Sequence, residues 1–313
     1  MRQALITTIA ILAGFPLATS AEAVPTGNAD RIQVGSSGPV FPESITSTKD
    51  GTLYTSSVGT GRIYRATPGA KTFTAWSAKE NQGPQSILGV LADEKSGTLW
   101  ACFSDWALNK GDSGMPAVLR AFDLSSGAAR AQYQLPPKSF CNDIAIGADG
   151  TVYATDTHEG RIMRLKPGAK ELDKFFEDAR LVGLDGIAIG KDGALLLDNV
   201  KSNKLLRLAL DHNGEAGELS ELHLSAPVSG PDGLRPGGGG VFYLAENGSG
   251  LVDSLAIKGN DVTVTPIAHG YQACTSMTQH GDTLYVLEGK IMQYPKNKNA
   301  GPFFVYPVRL ASP

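Results

Sequence analysis

Apolar and polar residues alternate along most of the chain in short runs broken by glycine, and one phrase recurs. It reads as an apolar strand, a tight turn at Gly, a second β-rich strand, another turn and a third strand. The clearest copy is Asp149-Gly150-Thr151-Val152-Tyr153, followed by Gly160-Arg161-Ile162-Met163-Arg164. Asp50-Gly51-Thr52-Leu53-Tyr54 with Gly61-Arg62-Ile63-Tyr64-Arg65 repeats both halves. Looser copies begin at Ser96-Gly97, Asp192-Gly193, Gly239-Gly240 and Gly281-Asp282, which makes six. Asp-Gly is expected to supply the positive φ angles of a two-residue hairpin, and Thr, Val, Tyr and Leu suit the pleated strand that follows.

Gly51, Gly97, Gly150, Gly193 and Gly240 are 46, 53, 43 and 47 residues apart. Propeller blades repeat at roughly 40–50 residues. A lone blade cannot bury both faces, so stacking around an axis is what makes a core. The expectation is therefore an all-β, six-bladed β-propeller with four-stranded antiparallel blades, a single domain over 24–313. A β-sandwich with coincidental Asp-Gly turns is the competing fold. Residues 31–35, with Ile32 and Val34, and 303–308, with Pro307 suited to an edge, are expected to pair and close the ring.

The first residues read as an address. Arg2 gives a positive start, Ala4 to Leu17 is almost wholly apolar, and Ala21-Glu22-Ala23 offers small residues for cleavage after Ala23. The run is short for a bilayer span of about 20 residues and holds Pro16, which disfavours an uncleaved anchor. A signal peptide over 1–23 implies an exported chain, periplasmic or secreted.

Composition narrows the partners. Lys and Arg number 28 against 31 Asp and Glu, with a sequence pI near 6.0, so no broad basic surface invites nucleic acid or an anionic membrane. A small-molecule substrate is expected, with oligomeric state open. Cys102, Cys141 and Cys274 lack the spacing of a zinc or redox motif. Export permits one disulfide, no pair can be chosen, and packing inside strands is the plain expectation for all three.

In a propeller the innermost strand of each blade lines the central channel, so a polar residue where it begins points at the axis. Those six segments open as Pro42-Glu43-Ser44, Ile87-Leu88-Gly89, Cys141-Asn142-Asp143, Leu184-Asp185-Gly186, Pro231-Asp232-Gly233 and Cys274-Thr275-Ser276. Four offer an oxygen donor at an equivalent place: Glu43, Asn142, Asp185 and Asp232. Converging carboxylates repel and have raised pKa values unless a cation joins them. An oxygen-only set with no His or Cys favours calcium, then magnesium or manganese, over zinc. Taken singly, Asp-Gly and Asn-Asp are ordinary turn formers; at repeat-equivalent positions, together with a Glu, they make a candidate site for one divalent cation.

The Glu43 after Pro42, the Asn142-Asp143 pair, Asp185-Gly186 and Pro231-Asp232-Gly233 resemble the senescence-marker-protein/gluconolactonase/regucalcin family of six-bladed propellers. The resemblance spans all six repeats, on short motifs. It implies that a Glu, two Asn and an Asp from four blades hold one divalent metal, and that the chain is a lactonase. Glu43, Asn142 and Asp232 match the family's positions, whereas Asp185 stands where the family usually has Asn. The implied mechanism has a metal polarising a lactone carbonyl, Asp232 or a metal-bound water deprotonated by it as base or nucleophile, and Asp143 orienting substrate hydroxyls or holding Asn142. His158, Asp105 and Asn199 are expected to be structural, and the long insertion 106–116, with Gly111, Gly114 and Pro116, is expected to be an ordinary surface loop, with a lid over the channel mouth as the alternative.

Three rivals stand beside this reading. One is a non-catalytic binding propeller with a structural metal. Another is ester or phosphotriester hydrolysis on the same metal. The third, quinone-dependent sugar oxidation, lacks a convincing cluster of His and Arg.

Overall fold

The computed structural model describes residues 30–76, 85–106, 114–294 and 296–310, with the backbone of Glu22 and Ala23. Glu22–Ala23 lies parallel to Asp261–His269; the rest of the expected leader, and most of 106–116, lie outside the described residues. The chain is all-β, and the helices among the described residues are three-residue 3-10 turns. None is long and apolar enough to cross a membrane.

Three sheets are four-stranded antiparallel meanders, running 86–134, 141–177 and 184–221. A fourth holds Pro231–Pro236 to Asp261–His269 as a meander, and His223–Leu224 and Glu22–Ala23 add to its outer strand in parallel. The fifth has eight strands, because Ile32–Val34 pairs antiparallel with Phe304–Arg309 and parallel with Thr72–Ala75, so the last hairpin and the first meander become continuous. The expected pairing of the terminal strands is thus present. Pro307 pairs with Tyr285 on one side and lies beyond the two residues that meet Ile32–Val34 on the other, so its missing N–H costs no ladder bond.

The inner strands are Pro42–Ser47, Ser86–Asp93, Cys141–Ile146, Leu184–Ile189, Pro231–Pro236 and Cys274–His280. Each contacts the next and the last contacts the first, giving a propeller-like closed cycle. Between sheets the core is apolar. Ala145, Tyr153 and Ile162 of one meander pack on Leu195, Leu197 and Leu206 of the next, all buried. Removing such a leucine to alanine typically costs about 2–5 kcal/mol.

The Asp-Gly turns differ from expectation. Gly51, Gly150 and Gly193 have positive φ, but Asp50, Asp149 and Asp192 do not. Each loop has three residues: Thr48 N–H donates to Thr52 and Gly51 N–H returns to Thr48, and the same pair of bonds recurs at Gly147 and Gly190. The aspartate acts through its side chain instead. Asp50, Asp149 and Asp192 accept from the backbone N–H two residues on, at 3.0, 3.0 and 3.1 Å. The hairpin therefore needs one left-handed residue, and the carboxylate fixes the rest of the turn.

The cysteines also depart from simple packing. Cys102 and Cys141 form a disulfide between neighbouring sheets, and Cys274 is buried and free. Cys102 lies on the second strand of one meander and Cys141 opens the inner strand of the next. Only the closure of one sheet against its neighbour brings them together.

Candidate metal centre

The ladder between first and second strands breaks at one equivalent place in all six repeats. The register slips between Pro42 and Ile45, Ile87 and Val90, Cys141 and Ile144, Leu184 and Ile187, Pro231 and Leu234, and Cys274 and Ser276. A bulge leaves its residues outside the ladder and re-aims their side chains. Glu43, Asn142, Asp185 and Asp232 all sit on these bulges. The backbone N–H groups released there find side chains on the adjacent strand: Ser44 N donates to Ser56 Oγ at 3.0 Å, Asp143 N to Thr155 Oγ1 at 2.8 Å, and Gly186 N to Asp198 Oδ1 at 3.2 Å.

Glycine at the bulge lets neighbouring inner strands approach. A Cβ on Gly186 would stand 2.2 Å from Asp198 Oδ2 and 2.7 Å from the Asp232 carbonyl oxygen. One carbon at that position would push apart the two strands that carry Asp185 and Asp232.

The result is a convergence of charge. Glu43, Asp185 and Asp232 each offer a carboxylate oxygen, and these oxygens lie within 4.8 Å of one another. Glu43, Asn142 and Asp232 are buried and Asp185 is partly so. Asn142 Nδ2 donates to Thr157 Oγ1 at 3.1 Å; the amide oxygen, Asn142 Oδ1, is buried with no hydrogen-bond partner among the described residues, as is Glu43 Oε2. Asn247 Nδ2 donates to Asp232 Oδ2 at 2.9 Å. All four bulge residues line one cavity of about 330 Å³, with His158 and Asn247 on its wall.

Burial pushes the Glu43 carboxyl well above its ordinary range, and the negative charges of Asp232, Asp185 and Asp143 push it further. Burial likewise raises Asp185, reinforced by Asp232. It raises Asp232 too, against the bond from Asn247. Asp198, buried behind the cluster, is raised by burial and then by Asp185. A tight acidic site with orphaned oxygens suits a hard divalent cation: oxygen donors come from four strands, two are left unbonded, and positive charge would remove the repulsion.

Asp143 shares the axis but turns away from the cavity. Its oxygens accept from Arg235 at 2.6 and 2.9 Å, and Oδ2 also accepts from Ile187 N at 3.1 Å. Arg235 continues to Ser44 Oγ at 3.0 Å. Burial alone would lower this guanidinium, but Asp143, Glu43 and Asp198 hold it above its ordinary value. Asn199 is engaged with the Arg180 and Val182 carbonyls, a loop-holding role in keeping with expectation. His158 lines the cavity, stacked on Phe140 with ring centroids 4.7 Å apart.

Arg235, Asp198 and Asn247 escape a reading of the inner-strand openings. Arg235 had a signal: its register partner is Tyr243, and the positions paired in the same way elsewhere are Thr46, Leu91, Ala145, Ala188 and Thr278. One arginine stands among small and apolar residues. Asp198 and Asn247 lie on second strands or the loops after them, where Asp and Asn are common and carry no distinguishing pattern.

Solved structures similar to this chain share its fold at low identity. A gluconolactonase from Xanthomonas campestris is 16% identical, with 86% of each chain covered and a TM-score of 0.63. Virginiamycin B lyase from Staphylococcus aureus is 16% identical over 90% of this chain and 99% of that one, at 0.60. Aldose sugar dehydrogenase from Streptomyces coelicolor, bound to PQQ, is 16% identical over 90% and 97%, at 0.63. Three chemistries on one architecture mean that the fold alone assigns none of them. No curated protein matches the sequence. The sequence pattern of the SMP-30/Gluconolactonase/LRE-like region matches residues 41–289, and with that span the chain belongs to this family.

Proposed function

We propose that this chain is a six-bladed β-propeller hydrolase that opens small lactones with the aid of one divalent cation, calcium first among the candidates. The observation that carries the reading is the set of three carboxylates within 4.8 Å of one another, with Glu43 Oε2 and Asn142 Oδ1 unbonded, at the wall of a cavity. Glu43, Asn142, Asp185 and Asp232 would hold the ion. When bound, it supplies Lewis acidity toward the lactone carbonyl.

The chain's own groups do the rest. Asn247 orients Asp232, whose carboxylate takes the proton of the attacking water. Thr157 holds the Asn142 amide so that its oxygen faces the cluster. Asp143, pinned by Arg235, positions rather than reacts: it fixes the bulge that carries Asn142 and, through Ile187 N, the strand that carries Asp185. The family match supports a lactone over a phosphotriester, and the Cys102–Cys141 disulfide supports export to an oxidising compartment.

The test is metal analysis of the purified protein with a panel of lactones and esters, with and without chelator. Turnover should require the metal and drop at least a hundredfold in Glu43→Gln and Asp232→Asn. Equal turnover in parent and both variants removes the site; metal-linked stability without any turnover favours a binding propeller.

A further inference from the structure

The cavity wall and its floor differ in chemistry. The floor is acidic, whereas the wall is built from Leu88, Trp106, Phe140, Val200, Ile291 and Met292. Trp106 meets Phe140 edge-on, with ring centroids 6.1 Å apart, and Phe140 lies against His158 at 4.7 Å with an interplanar angle of 32°. Met292 is 71% exposed at the rim, an unusual place for a large apolar side chain.

Polar groups on the wall are few, and two of them are partly committed to the floor. Thr157 accepts from the Asn142 amide and Asn247 donates to Asp232, so each orients a floor residue. His158, stacked on Phe140, the indole N–H of Trp106, the Thr157 hydroxyl proton and the Asn247 amide oxygen are the wall groups that can meet substrate hydroxyls among the described residues, set within a mostly apolar lining.

We infer that the site takes lactones bearing an apolar chain or ring, and discriminates against polyhydroxylated sugar lactones. The inference rests on the lactonase reading for turnover but not for binding. A sugar lactone brings several hydroxyls to a wall with few groups to match them, and each unmatched hydroxyl costs about tenfold in affinity. Each methylene moved from water onto the wall gains up to about fourfold. Leu88, Phe140 and Met292 are the specificity-determining side chains.

The experiment has two arms on the full-length protein. In the first, kcat/KM of the metal-loaded protein is measured for γ-butyrolactone, γ-octalactone, γ-dodecalactone and glucono-δ-lactone. It should rise with chain length until the cavity is filled and be lowest for the sugar lactone. Glucono-δ-lactone as the best substrate overturns the inference and leaves the lactonase reading standing. In the second arm, calorimetry compares 2-heptylcyclopentanone, cyclopentanone and inositol, none of which can be hydrolysed. The heptyl ketone should bind at least tenfold more tightly than inositol, and equal or weaker binding overturns the inference even if no lactone is turned over. Met292→Ser, at an exposed side chain, should reduce the preference for heptyl ketone over cyclopentanone; an unchanged preference in both Met292→Ser and Phe140→Ala overturns the assignment of these residues.

Discussion

Arg235 is the residue on which the acidic channel depends, because it is the cation that meets Asp143 in a buried, two-pronged pair and reaches Ser44 across the axis. Both members of the pair are nearly out of water, with side-chain exposures of 8% and 6%. Taking two ions out of water is costly, and the pair need not add net stability over an apolar replacement. Breaking it from one side is another matter, since Asp143 would be left charged beside Glu43, Asp185 and Asp232. Arg235→Met should therefore destabilise the protein by about 3–5 kcal/mol, measured by urea unfolding of the metal-free protein. Adding Asp143→Leu to Arg235→Met should recover much of that loss. Additive losses in the double variant would show that the pair acts through packing and not through charge.

At the scale of the strand and turn, the sequence was most legible where chemistry is local. Asp149-Gly150-Thr151 writes its own hairpin, and the position of Asn142 just before Asp143 marks an inner-strand opening without help from any distant residue. Even there periodicity shows that a turn exists, but not whether one or two of its residues are left-handed. The bulges were legible as places and not as geometry, because a two-residue break in pairing leaves no mark on hydrophobic alternation. Cys102 with Cys141, and Arg235 with Asp143, were not legible. Each is a contact between separate repeats, fixed by how one sheet stacks on another. The apolar wall fails for the same reason, since Leu88, Phe140 and Met292 come from three distant segments. Two glycines separate the local from the tertiary cause. Gly150 has φ +89° and its nearest neighbour to an added Cβ is Pro167 Cγ at 3.6 Å, so Gly150→Ala carries backbone strain alone. It should cost about 1–2 kcal/mol and leave metal affinity unchanged. Gly186→Ala, with Asp198 and the Asp232 carbonyl in the way, should lower metal affinity at least tenfold, read by titration of the metal-stripped protein. Equal metal affinity in the two variants would mean that strand approach at Gly186 does not shape the site.

For the whole molecule, the closed cycle of inner strands concentrates at its axis what an isolated sheet would spread over a surface. The Cys102–Cys141 bond spans 39 residues and ties two neighbouring sheets, a closure that stabilises by about 4 kcal/mol in chain-entropy terms. Against it stands the repulsion at the axis, which couples stability to pH. Burial raises Glu43, Asp185, Asp198 and Asp232 above the ordinary carboxylate range, so between that range, near pH 4, and the raised values the metal-free folded state holds more protons than the unfolded chain. Stability then falls as pH rises, since its slope follows the protons bound by the unfolded state minus those bound by the folded state. The surface carboxylates with lowered values act elsewhere: Asp178, pulled down to about 2 by Arg180, loses its contribution only in stronger acid. Asp253, pushed up to about 8 by burial and by Glu246, has the same sign as the axial group but lies outside the cavity lining. The absolute melting temperature therefore mixes two sources, whereas the increment produced by metal isolates one. Metal-free protein should melt at a lower temperature at pH 8 than at pH 5, and saturating calcium should raise the melting temperature more at pH 8, where the ion has fewer protons to displace from the axial carboxylates. A calcium increment that is the same at both pH values would mean that the axial carboxylates do not exchange protons for metal, and the site would have to be sought elsewhere on the molecule.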